Sequence, residues 1–457
     1  MIYEVNTAVW LGGRRLDEVS WESVALPGVE AVWLMGVWER SPAGLAIARN
    51  DPGLEAGNRA ALPGLRDADV IGSPYCVRDY VVDARFGGRD ALAAARAALA
   101  ELGLKLILDY VPNHVASAHG WSGARPELLV PGDPSDPVGS VEVGAGWVAR
   151  GRDPYFPPWP DVVQLNAFAP ALREAVGDTL LVLAGQCDGL RCDLAMLMCN
   201  DIFARTWGGT PPPEEYWPPL IARVKAAYPE FLFIAEAYWD MEWTLQQQGF
   251  DYAYDKRLYD RLVSGSAADV RGHLSADAAY QDKLLRFIEN HDEPRAASVF
   301  GPAQARAAAV VATTLRGARL LHDGQLDGLR TRIPVFLARG PEEPAYADLR
   351  AFYDRLLAAV AGPREGWALC DVSGWPDNDS ADRLVAYCWR DHLVVVNLSG
   401  APAQGRVRLP WPGLAGRSWT LSDAVSGTVF ERDGDELAGE GLYVDLEGFA
   451  SHVLVLA

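Results

Sequence analysis

Over roughly the first 360 residues, short β-branched, apolar runs alternate with Ala-, Leu- and Arg-rich stretches of helical periodicity. That alternation restricts the chain to parallel strands with covering helices, because a parallel connection needs a crossover long enough to hold a helix. The runs at 2–10, 29–35, 104–110, 189–193, 231–236, 249–254, 284–290 and 318–322 read as strands. Segments 90–102 and 304–316 read as two of the amphipathic helices between them. Eight such strands predict an α/β chain built on a (β/α)8 barrel, and 457 residues hold a barrel of roughly 250 residues plus a smaller partner.

Two segments break the pattern. Residues 115–163, after the third strand, are rich in Gly, Pro and Asp and show no helix pattern, so they read as a loop-rich excursion. Beyond residue 365 the runs at 384–389, 393–398, 405–409, 418–421 and 452–456 are short and separated by Gly, Pro, Asn and Asp, which predicts an antiparallel β-sandwich. The expected division is therefore a barrel from 1–114 and 164–365, an excursion from 115–163 and a sandwich from 366–457.

The formal charge is −20, from 41 Lys+Arg against 61 Asp+Glu, and a field of that sign repels phosphate backbones and anionic headgroups. Nucleic acid and membrane surfaces are excluded as expected partners. The start Met1-Ile2-Tyr3-Glu4 has no charged n-region or long h-region, and the six cysteines form no CxxC pair. A cytoplasmic, reduced location is expected, with Cys187, Cys192 and Cys199 packed in the core rather than ligating a metal.

In a barrel of this kind the chemistry sits where strands end in loops at the C-terminal face. Four strands end in polar groups: Asp109 to His114, Arg191 to Asp193, Glu236, and Glu289 to Arg295. Asp193, Glu236 and Asp292 should converge from three strands. Arg191 and Asp193, two apart, point to one face, so the guanidinium should hold the carboxylate ionised as a nucleophile. Glu236, crowded by two acids in a partly dry cleft, should have a raised pKa suited to donating a proton. Carboxyls with opposed environments form a glycosidase pair. His114 and His291 fall in the same layer of loops, and some of Trp38, Trp147, Trp159, Trp207, Trp217, Trp239 and Trp243 are expected to meet sugar rings rather than fill the core.

These segments resemble the four short motifs of the α-amylase family, glycoside hydrolase family 13: DYVPNH at 109–114, GLRCD at 189–193, FIAEAYW at 233–239 and FIENHDEPR at 287–295. Flanking stretches GSPYCVRDYVVDARFGG at 72–88, WPDVVQLN at 159–166 and GQLDG at 324–328 extend the resemblance over essentially the whole chain. The family's fold is a barrel with an excursion after the third strand, called domain B, and a C-terminal sandwich. The resemblance implies Asp193 as nucleophile, Glu236 as general acid/base and Asp292 as the carboxylate that grips substrate hydroxyls. It implies Arg191, His114, His291 and Asp109 as supporting residues, Tyr75 as the aromatic that stacks on the sugar, and Arg295 as a contact further along. Many amylases carry a Lys-His pair three and four residues after the nucleophile, where this chain has Met196 and Leu197. That departure implies a less polar acceptor side and weakens the case for the family's structural calcium, toward which Asn113 and Asp161 are the two nameable oxygen ligands of the six or more needed.

The function expected on these grounds is that of a retaining glycosidase acting on α-glucans or maltooligosaccharides, with no cofactor required for the chemistry. A transglycosylase or isomerase, glucanotransferase or trehalose-forming, uses the same machinery and differs in how the acceptor site treats water. A non-catalytic carbohydrate-binding protein would be expected to have lost a catalytic carboxylate, and all three are present. A cytoplasmic location points to a storage glucan or imported maltooligosaccharide as substrate.

Overall fold

The computed structural model describes residues 1–362 and 364–457. Eight parallel strands close into a barrel: β1 (Ile2–Asn6), β2 (Ala31–Met35), β3 (Lys105–Tyr110), β4 (Gly189–Cys192), β5 (Leu232–Ala235), β6 (Tyr252–Tyr254), β7 (Leu284–Arg286) and β8 (Ala318–His322). Neighbours in sequence are neighbours in the barrel, and β8 returns to pair with β1. These strands are covered on both faces, which is why they read as near-continuous apolar runs. Ile2, Trp33, Ile107, Ile234, Phe287 and Leu320 fill the barrel interior, while a larger apolar cluster lies between the strands and the helices.

The first run is shorter than expected. Its strand ends at Asn6, whose side chain accepts the Val9 N–H at 3.4 Å and caps a short helix, Thr7–Leu11, where a strand through residue 10 was expected. The excursion also holds more structure than its composition suggests. It contains a helix at Gly120–Ala124, which starts at a His119 cap, and a hairpin of Ser140–Val143 with Gly146–Ala149. It leaves and rejoins the barrel through one antiparallel ribbon, His114–Ala116 with Val162–Gln164.

The C-terminal part stacks a six-stranded antiparallel sheet against a three-stranded one around its own apolar cluster. Strands at Ala368–Cys370, Val429–Asp433 and Leu442–Leu446 were not expected from the sequence. Val429–Asp433 lies at the sheet edge with its residues alternating between exposed and half-buried, so it lacks an apolar run. The sandwich is fused to the barrel by packing of Tyr387, Val394 and Val453 into the main cluster and by a 2.5 Å hydrogen bond between Thr314 Oγ1 and Tyr387 OH. All six cysteines are buried. Among the described residues no helix is long and apolar enough to cross a membrane.

Candidate active site

Strand register sets the site. Arg191 on β4 pairs with Asp109 on β3 and with Ile234 on β5, and Cys192 pairs with Ala235. Asp193 and Glu236, one residue further on adjacent strands, therefore reach the same level at the barrel mouth. Main-chain bonds from Asp193 N–H to the Tyr110 carbonyl (2.8 Å) and from Glu236 N–H to the Cys192 carbonyl (3.0 Å) extend the ladder and fix both backbones. Asp292 arrives differently. After β7 the Asn290 side chain accepts the N–H groups of Asp292 and Glu293 at 2.9 and 2.8 Å, a local turn that presents His291 and Asp292 to the mouth.

Arg191 is the hub. Its Nη1 donates to Asp193 Oδ1 at 2.6 Å, and its Nη2 lies 2.8 Å from Glu236 Oε1, an ion contact without hydrogen-bond alignment. Asp109 and Asp292 are 3.8 and 3.9 Å away. The guanidinium is enclosed by the rings of Trp33, Tyr75 and Tyr254, with centroids 5.3, 5.4 and 5.6 Å from Cζ, and its Nε donates to Tyr254 OH at 3.3 Å.

Five carboxyl groups, Glu4, Asp109, Asp193, Glu236 and Asp292, share two cations, Arg191 and His291. Such an excess of acids must be held partly protonated. Burial pushes Glu236 up to about 8; Arg191 pulls against this, and the charges of Asp193 and Asp292 add to it. Leu194 N–H donates to Glu236 Oε2 at 2.6 Å and Tyr238 OH to Oε1 at 3.2 Å. Burial likewise raises Asp109, to about 6, against Arg191 and the Gly36 N–H that donates to it at 2.8 Å. Burial would raise Asp292 too, but His291, 2.9 Å away, and then Arg191 bring it down to about 2. His291 is held charged: burial opposes it, but Asp292 and Glu4, the latter 2.5 Å from Nδ1, raise its pKa well above the usual histidine value.

The cleft above this cluster has a volume of about 340 Å³. Asp193, Leu194, Glu236, Tyr238 and Asp292 line it from the barrel, and His114, Trp159 and Asp161 line it from the excursion and its ribbon. Tyr75 lines it too, with its OH 2.6 Å from His291 Nε2 and its ring stacked on that imidazole. Burial lowers the pKa of His114, so its ring is neutral.

Several expectations need correction. Arg295, expected as a substrate contact, does not line this cleft. Its guanidinium donates to Glu289 at 2.6 Å and to the Asp323 carbonyl at 2.7 Å, because Glu289 is buried and needs a cation. Asp109 and His291 act from behind the cleft wall, on Arg191 and Asp292. Met196 and Leu197 are buried and do not line the cleft, whereas Leu194, Trp159 and Tyr238 do. Of the tryptophans, Trp38 and Trp217 are core, Trp159 meets the cleft, and Trp239 stands exposed against Tyr155, with ring centroids 4.9 Å apart. Asn113 and Asp161 do not fit a calcium site: Asn113 Oδ1 is taken by Gln164 Nε2 at 2.9 Å. Among the described residues no three His, Cys, Asp or Glu side chains gather as metal ligands. Sequence reasoning missed Glu4 and Tyr254. A fully buried acid inside the apolar run of β1 was the available signal for Glu4.

No family model matches the chain. It is 27% identical over 348 residues to "Alpha-amylase MalA" of Haloarcula japonica, a match covering 73% of this chain and 47% of that protein. The chain thus spans about half the length of the curated relative it matches. Among solved structures, an α-amylase from Lactobacillus plantarum superposes with a TM-score of 0.71 at 20% identity, over 100% of this chain and 98% of that one. An α-amylase from H. orenii gives 0.71 at 17% identity, over 100% and 99%. The maltogenic α-amylase AmyB from Thermotoga neapolitana gives 0.70 at 18%, over 100% and 98%. The four motifs thus stand in order at the mouth of a closed barrel, in a chain similar in sequence to one α-amylase and similar in fold, from end to end, to several others.

Proposed function

We propose that the protein is a retaining glycoside hydrolase acting on the α-glucosidic bonds of α-glucans or maltooligosaccharides. The observation that carries this reading is the gathering of Asp193, Glu236 and Asp292 around Arg191 at one cleft, where burial raises the pKa of Glu236 to about 8 while His291 and Arg191, against burial, hold Asp292 down at about 2. Asp193, fixed at 2.6 Å by Arg191 Nη1, is the nucleophile. Its oxygen attacks the anomeric carbon as the glycosidic C–O bond breaks, and the Glu236 proton goes to the leaving oxygen. Glu236, now a base, takes a proton from water, and the resulting attack on the anomeric carbon frees Asp193. Asp292, held in place by His291, grips the sugar hydroxyls, Tyr75 stacks on the ring, and His114 donates from the cleft lining. No cofactor enters these steps.

A second reading, transfer to a sugar, is favoured by one feature. Tyr155 and Trp239 are 59% and 36% exposed and pack edge to face, and Trp239 sits three residues past Glu236 in a left-handed backbone conformation, φ 60°. An apolar sugar face can displace water there. Incubation with maltoheptaose, with products followed by NMR and chromatography, tests both. Shorter oligosaccharides with the α-anomer formed first are expected. A β-anomer first would overturn retention, longer products at high substrate concentration would establish transfer, and no conversion would overturn the glycosidase reading.

A further inference from the structure

The excursion is seated on the barrel through a buried side chain that takes no part in these steps. Gln164, fully buried, pairs with His114 in the antiparallel ribbon. Its Nε2 is surrounded by three oxygens: the Asn113 carbonyl at 2.9 Å, Asn113 Oδ1 at 2.9 Å and the Leu165 carbonyl at 3.1 Å. An amide nitrogen has two N–H bonds, so three acceptors exceed what it can satisfy separately. The Arg152 N–H donates to Gln164 Oε1 at 3.4 Å, which fixes the orientation: a flipped amide would set an oxygen against three oxygens. Carbonyl and amide oxygens converging on one point are the ligand set of a hard cation, and here an N–H donor fills that point.

We infer that the Gln164 carboxamide takes the place of a structural cation at this junction, so that the seating of the excursion, and through it the orientation of His114, is independent of calcium. The link to His114 is direct. Asn113, whose Oδ1 is clamped by Gln164, presents its Nδ2 at 3.3 Å from His114 Nδ1 and donates to it, which fixes the ring's orientation. Gln164 is thus a positioning residue for an imidazole that lines the cleft. This last link rests on the glycosidase reading; the replacement of the cation does not.

The test is thermal unfolding of the full chain in excess EDTA and in excess calcium chloride, with KM and kcat for maltoheptaose measured in both. The wild-type midpoint should be the same in the two media. Gln164→Glu, which puts a carboxylate among the oxygens, should melt several degrees lower in EDTA and recover with calcium. Gln164→Leu should melt low in both, and Gln164→Lys, which places an ammonium there, should melt above Gln164→Leu without responding to calcium. KM should rise more than kcat falls in Gln164→Leu, and calcium should restore KM in Gln164→Glu. A wild-type midpoint that drops in EDTA and returns with calcium overturns the inference, as does a Gln164→Glu midpoint indifferent to calcium. If Gln164→Glu does not fold in either medium, the wild-type and Gln164→Lys measurements decide. Failure of the wild type to convert maltoheptaose would sink the functional reading and leave the unfolding comparison standing.

Discussion

Two buried arginines in this barrel carry the same chemistry to opposite ends. Arg191 points into the mouth, among carboxyls that include Asp292, whose side chain keeps 39% of its surface open. Arg286, flanked on β7 by Leu285 and Phe287 of the barrel interior, faces the surrounding helices instead. There it pairs with Asp255 and Gln281, all three side chains buried, while Asp255 also accepts from His273 Nε2 at 2.9 Å and caps the helix Lys256–Ser264. The histidines differ in the same way. His291 is held charged between two acids, whereas burial and then Arg261 lower His273 to about 4. The protein pairs the charges of one network and seals it. It leaves the other with more acids than cations, facing a cleft, and burial, reinforced by the charges of Asp193 and Asp292, keeps a proton available on Glu236.

If the two networks differ in this way, substitutions should separate activity from stability. The largest effect is expected at the mouth: Asp193→Asn and Glu236→Gln should each lower turnover by about a thousandfold or more while the unfolding midpoint stays near wild type. Substantial activity in either variant would break the assignment. Arg286→Met should do the reverse, costing about 3–5 kcal/mol in denaturant unfolding because Asp255 is left buried without its cation, with kcat per folded molecule unchanged. Loss of kcat without loss of stability would mean that the sealed network reaches the chemistry. The smallest effect sharpens the comparison. Activity should fall as pH rises through about 8, where Glu236 loses its proton. Because Arg191 pulls that pKa down, Arg191→Met should move the basic limb to higher pH. An unmoved limb in a folded variant would show that Glu236 does not set it.

How much of this could be read in advance depends on whether a residue's environment is local. The eight barrel strands are legible because burial on both faces leaves apolar runs, and the polar groups that end them stand out against those runs. The convergence of Asp193, Glu236 and Asp292 on Arg191 follows from that pattern. Arg295 ends the same motif as Asp292 yet turns away, because Glu289, six residues earlier and buried, claims it; only the third dimension shows which acid wins. Glu4 escapes notice because its partner His291 is 287 residues away. The edge strand Val429–Asp433 and the helix inside the excursion are set by neighbours and a cap rather than by periodicity.

The ribbon that joins His114–Ala116 to Val162–Gln164 has a consequence for how such a molecule can change. Seen from the barrel, everything between those strands is one loop whose ends are already clasped, and the entropy of closing a loop grows only with the logarithm of its length. Residues can be added to or removed from the hairpin Ser140–Val143 and Gly146–Ala149 without shifting the register of any barrel strand. The hairpin is therefore an exchangeable cassette, able to acquire new shapes while the ribbon, and the His114 and Val162 that it presents to the cleft, stay fixed.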